Sequence, residues 1–88
     1  MLPDVPLATA VETVGGAEVP IRSLSRDEVV RLARFGDETG EAEVFILSRA
    51  CAVTEDEARR WRESVGVVTA GDLLTAIARI SGLARGEA

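Results

Sequence analysis

The chain punctuates itself into short helices, and this restricts it to a small, mostly helical fold. Ser25-Arg26-Asp27-Glu28 is a capping box: a hydroxyl that accepts from the backbone N–H three residues on, and a glutamate that reaches back. Thr54-Glu55-Asp56-Glu57 reads as a second. Gly36 and Gly66 stop the helices these boxes start, and Gly82 suits the position just past another helix end. The spacing predicts helices from Ser25 to Gly36, from about Glu41 to Ala52, from Thr54 to Gly66, and from about Ala70 to Gly82 with Thr69 as cap. Apolar residues recur at helical intervals in each. Val29, Leu32, Ala33 and Phe35 mark the first, and Ala58, Trp61 and Val65 the third. Leu73, Leu74, Ile77, Ile80 and Leu83 mark the fourth. The second carries two stripes, Ala42/Phe45/Ile46/Ala50 and Val44/Leu47/Cys51, so it is apolar nearly all round and belongs in the centre.

Ahead of the helices, Val11 to Ile21 reads as a β-hairpin. Val11, Thr13, Val19 and Ile21 alternate with polar Glu12 and Glu18, and Gly15-Gly16 supplies the positive φ angles of a tight turn. Pro20 has no N–H to give a ladder, so it marks an edge or the end of pairing. A lone hairpin is marginal in water and must lie on the helices or join a partner's sheet. Residues 1–10, with Pro3 and Pro6, read as a flexible N-terminal arm. The expected fold is therefore α+β, mostly α: an N-terminal β-hairpin packed on about four short helices. One compact domain should span 11–84, with a polar tail over 85–88. Aromatics are limited to Phe35, Phe45 and Trp61, so Val, Leu, Ile and Ala must fill the core.

The chemical inventory is thin. The 88 residues include no His, Tyr or Lys, and a single cysteine, Cys51. Without His, the usual general base near neutral pH and the commonest metal ligand are gone. Neither a Ser/His/Asp nor a Cys/His nucleophilic system can be assembled within one chain. One Cys makes neither a zinc site nor an internal disulfide, and Cys51 reads as a small core residue. The expectation is a protein that is not an enzyme and carries no cofactor or metal.

Charge narrows the partners. The net charge of −5 repels phosphate backbones and anionic membranes alike. No apolar run approaches the ~20 residues of a membrane span. The N-terminal residues lack the basic and long apolar regions of a signal peptide, and a lone Cys suits a reducing cytosol. A cytoplasmic chain that binds neither membrane nor nucleic acid is expected.

Three motifs compete with this reading. Glu55-Asp56-Glu57 is an acidic cluster, but acids at a helix N-terminus complement its dipole without any ligand. Asp37, Thr39 and Glu41 imitate the start of a calcium loop, which then fails at Ala42 and Ser48, where Gly and Glu are needed. Leu47 to Trp61 resembles a DNA-binding helix-turn-helix. Its turn has Ala52 where Gly usually serves, and its second helix opens with three carboxylates where base edges would be met.

The order of three segments resembles the small tail assembly chaperones of long-tailed bacteriophages. These are Val19 to Glu28, a strand leading into a capped helix; Leu47 to Ala58; and Leu73 to Leu83, ending Ile-Ser-Gly-Leu. The resemblance implies a protein of the bacterial host cytoplasm that keeps the tape measure protein soluble until the tail tube polymerises around it. The tape measure protein is then the expected partner, with the tail tube protein and further copies of this chain as additional candidates. Trp61, Leu74, Ile77 and Leu83 are the candidate partner-binding residues, through whatever surface the core leaves uncovered. The alternatives are a helix-turn-helix transcriptional regulator and a small structural adaptor of a phage particle.

Overall fold

The computed structural model describes residues 1–83; the expected polar tail at 85–88 lies outside the described residues. An antiparallel hairpin, β1 (Thr9–Val14) and β2 (Ala17–Arg22), leads into four helices. These are α1 (Arg26–Leu32), α2 (Thr39–Ala50), α3 (Glu55–Ser64) and α4 (Val67–Ile80), with a 3-10 turn at Ala33–Phe35 extending α1. The fold is α+β, mostly α, with the hairpin at its N-terminal side. Met1 to Ala8 precede β1, so the strand starts two residues earlier than the alternation of Val11 and Thr13 indicated.

Gly15 and Gly16 sit at φ +58° and +84°, the pair of positive angles that a two-residue hairpin turn needs. This turn fixes the register: Val14 faces Ala17, Glu12 faces Val19 and Ala10 faces Ile21. Val11 therefore stands opposite Pro20, on the other face from Val19 and Ile21, and is 59% exposed. The buried face consists of Ala10, Val14, Val19 and Ile21. Bonded and non-bonded pairs alternate along an antiparallel ladder, and Ser23 N–H donates to the Ala8 carbonyl at 2.8 Å. Counting from that bond, Pro20 falls at a non-bonded pair. Its missing N–H would have pointed away from β1, so proline fits here without breaking the ladder.

The core is aliphatic. Ile21 and Leu24, Val44, Leu47 and Ala50 of α2, Ala58 of α3, and Leu73 and Ile77 of α4 form one buried cluster. Helix α2 is central and packs against α1, α3 and α4, while α4 also lies across the hairpin. Ala50 and Ala58 are both buried, and their small side chains let α2 and α3 approach closely. Phe35 and Phe45 make a second contact beside α2, with ring centroids 5.5 Å apart. Arg49 lies over the Phe45 ring.

The helix ends follow the sequence in part. Ser25 and Glu28 form the full capping box, whereas Thr54 accepts from Glu57 N–H without a returning bond from the glutamate side chain. Helix α2 begins at Thr39 and ends at Ala50, two residues before the expected limits at both ends. Helix α4 begins at Val67, not at Ala70; Gly66 is its N-cap and Thr69 lies inside the helix. Gly82, at φ +80°, closes α4 by a Schellman arrangement, with Leu83 N–H donating to the Ala78 carbonyl at 2.8 Å. Ala52 takes the equivalent position after α2 at φ +57°, and Val53 N–H donates to the Ser48 carbonyl.

Candidate functional site

The α2–α3 turn decides where an apolar cleft forms. Helix α3 leaves Ala52 at an angle that packs it on α2, and α2 is its only substantial helix or strand neighbour among the described residues. Two polar clamps fix the contact. Arg59 Nη2 donates to Glu41 Oε1 at 3.0 Å, and Arg62 Nε donates to Glu43 Oε1 at 2.7 Å. The Arg62 guanidinium passes over Gly40, at 3.5 Å from where a Cβ would stand.

Because α3 is held on one side only, a cleft of about 450 Å³ opens between it and the hairpin. Its walls are Val14, Ala17 and Val19 of the hairpin end, Leu47, Cys51 and Val53 around the α2 C-terminus, Ala58 and Trp61 of α3, and Leu73 of α4. Glu57, Arg60 and Ser64 supply the polar rim. The volume falls within the roughly 300–1,000 Å³ common for ligand clefts. Apolar walls with a polar rim suit side chains of a peptide or protein segment, and the ionisable side chains of the lining are Cys51, Glu57 and Arg60. Burial pushes the Cys51 thiol up, which disfavours the nucleophilic thiolate. Among the described residues no three His, Cys, Asp or Glu side chains converge as a metal site, and no helix is long and apolar enough to cross a membrane.

The four candidate partner-binding residues do not form one surface. Trp61 lines the cleft and is half-buried. Leu74 is half-buried against the core, outside the cleft lining. Ile77 is 0% exposed and has no uncovered part to offer a partner. Leu83 is exposed just past the end of α4. The lining residues that the helical stripes missed are Val14, Ala17, Val19, Val53, Glu57, Arg60 and Ser64. They come from a strand pair, a turn and a helix flank, so no single periodicity links them. Val19 carried a signal, as a member of the hairpin's alternating pattern.

A second charged arrangement is structural. Arg22 Nη1 and Nη2 donate to Glu28 Oε1 and Oε2, both at 2.8 Å, and Ser25 N–H also donates to Glu28 Oε1. These bonds, led by that from Arg22, lower the Glu28 carboxyl from 4.5 to about 2. The pair joins the end of β2 to the start of α1. Both carboxylate oxygens are engaged, so the pair serves as a structural tie.

On α3, Arg59 and Arg62 are occupied by α2 carboxylates, and Glu55, Asp56 and Glu57 occupy the first turn. Among the described residues, the face a helix-turn-helix would present to DNA thus has one arginine outside the salt bridges, Arg60, among acids. Comparison with protein-family models, curated proteins and solved structures finds no match to this chain.

Proposed function

We propose that this protein is a non-enzymatic binding protein whose cleft receives an apolar protein segment, and that its role is that of a phage tail assembly chaperone for the tape measure protein. The observation that carries the binding reading is the open apolar cleft beside Trp61, in an acidic chain without His or Lys. An apolar client segment would fill the walls, and the surplus of carboxylates would keep the complex soluble. The identity of the client rests on the resemblance of Val19–Glu28, Leu47–Ala58 and Leu73–Leu83 to that family. A cleft of this size buries far less area than an obligate interface, which suits a client that must be released when the tube forms.

Co-expression with the tape measure protein of the same genome tests this reading. The expected result is that the client stays soluble and co-purifies, and that Trp61→Ala and Val53→Asp weaken co-purification while circular dichroism stays unchanged. A client that aggregates at the same level with and without this chain overturns it. The helix-turn-helix alternative is disfavoured by the engagement of Arg59 and Arg62 with α2. It would require duplex DNA binding that falls steeply with salt and with Arg60→Ala.

A further inference from the structure

We infer that the cleft is covered, when no client is bound, by the N-terminal arm of a second copy of this chain. The arm and the cleft are complementary in polarity and charge. The arm holds Met1, Leu2, Val5 and Leu7 exposed to water, a density of apolar side chains that a free segment does not keep without cost. Pro3 and Pro6 bias it toward a polyproline II helix, three residues per turn and about 3.1 Å per residue. In that conformation Leu2 and Val5 share one face, Pro3 and Pro6 an adjoining one, and Asp4 lies on the third. Proline-rich segments of this kind dock in grooves lined by aromatic rings, because little conformational entropy is lost. Trp61 is such a ring at the cleft. Asp4 is the only charged side chain before Glu12. Arg60 is the only basic residue lining the cleft, and among the described residues it has no salt-bridge partner. Seating Leu2 and Val5 between Trp61 and the Val14/Val19 wall places Asp4 at the rim that holds Arg60.

Its exposure in a single chain assigns the arm to another copy. The cleft adjoins the turn end of the hairpin, at Val14 and Ala17, whereas the arm leaves from the opposite end at Ala8. Six strand residues at about 3.3 Å each separate the two ends by roughly 20 Å. Within one chain Leu2 is 90% and Val5 73% exposed, so the arm does not lie in its own cleft. An arm donated by a second molecule can approach the cleft from the turn end of the hairpin. Two copies that exchange arms satisfy both clefts and close the assembly.

Trp61 reports on the test directly, because the chain has no other Trp and no Tyr. The full-length protein is followed by its fluorescence maximum and by light scattering after gel filtration, over a hundredfold range of concentration. The expected result is a monomer–dimer transition in which the Trp61 maximum moves to shorter wavelength together with the mass. Leu2→Asn/Val5→Asn, both at exposed arm positions, should hold the protein monomeric with Trp61 solvent-exposed at every concentration. A synthetic peptide of residues 1–8 should restore the blue shift to that variant. Asp4→Arg and Arg60→Asp should each weaken dimerisation about threefold, and the two together should recover it. A Trp61 spectrum that is the same in the native chain and the arm variant overturns the inference. So does a blue-shifted Trp61 in a protein that is monomeric throughout, which would mean the arm folds back on its own chain. A dimer that persists in the arm variant overturns it as well. None of these readouts involves a client, so the result stands or falls separately from the tape measure reading.

Discussion

Glu28 shows how one side chain can serve two structures. It closes the α1 capping box and holds Arg22 through a two-point contact, and its side chain is only 11% exposed. Its carboxyl is lowered to about 2 in the folded chain from an ordinary 4.5, so the unfolded chain binds a proton more readily. The stabilisation is therefore complete above about pH 4.5 and is lost as pH falls toward 2. The shift corresponds to roughly 3 kcal/mol. Acid unfolding followed by circular dichroism should show a stability loss across that window, and Glu28→Gln should remove most of this pH dependence while lowering stability at neutral pH. The box itself was legible in Ser25 and Glu28. Arg22 was not, because its role depends on where the hairpin delivers it.

At the scale of elements, the turn after α2 carries a local conflict. Ala52 adopts a left-handed conformation that costs an L-residue about 1–2 kcal/mol, and it does so in the Schellman position where Gly is usual. Ala52→Gly should relieve that strain, less the greater entropy glycine has when unfolded. A gain of up to about 1 kcal/mol is expected, seen as a rise in Tm of about 4–8 °C per kcal/mol for a domain of this size. The sequence marked this turn by its cap, Thr54, and by the absence of glycine. It misled at two other places for physical reasons. Val67 and Val68 are β-branched and follow Gly66, so they did not read as the first turn of α4. In the hairpin the alternation grouped Val11 and Thr13 with Val19 and Ile21, but a two-residue turn joins odd positions of β1 to even positions of β2. Once Gly15-Gly16 sets the register, Val11 and Val19 must lie on opposite faces.

For the whole molecule, stability converges on α4. Ile77 is fully buried where α2, α4 and the hairpin meet, and Leu24 N–H donates to Ser81 Oγ at 2.9 Å, tying the end of α4 to the β2–α1 link. Ile77→Ala should cost about 2–5 kcal/mol, a large part of the roughly 5–15 kcal/mol available to a small domain. Chemical denaturation should show the midpoint fall with its slope unchanged. The helical stripe containing Ile77 identified the core from sequence, yet gave no means of telling its core members from its surface members. That distinction depends on the hairpin lying across α4. The cleft was less legible still, since it exists only because α3 leans on α2 and leaves its other flank uncovered.

Pro20 has a consequence at larger scale. Along the outer edge of β2 the outward backbone donors belong to Glu18, position 20 and Arg22, and the middle one is missing. The outer edge of β1 keeps all of its donors at Thr9, Val11 and Thr13. Two such ribbons can zip together through β1, but the sheet they form then presents β2 at both ends, where no further strand can be fully bonded. Growth by strand addition would therefore stop at a pair and could not propagate into a fibre.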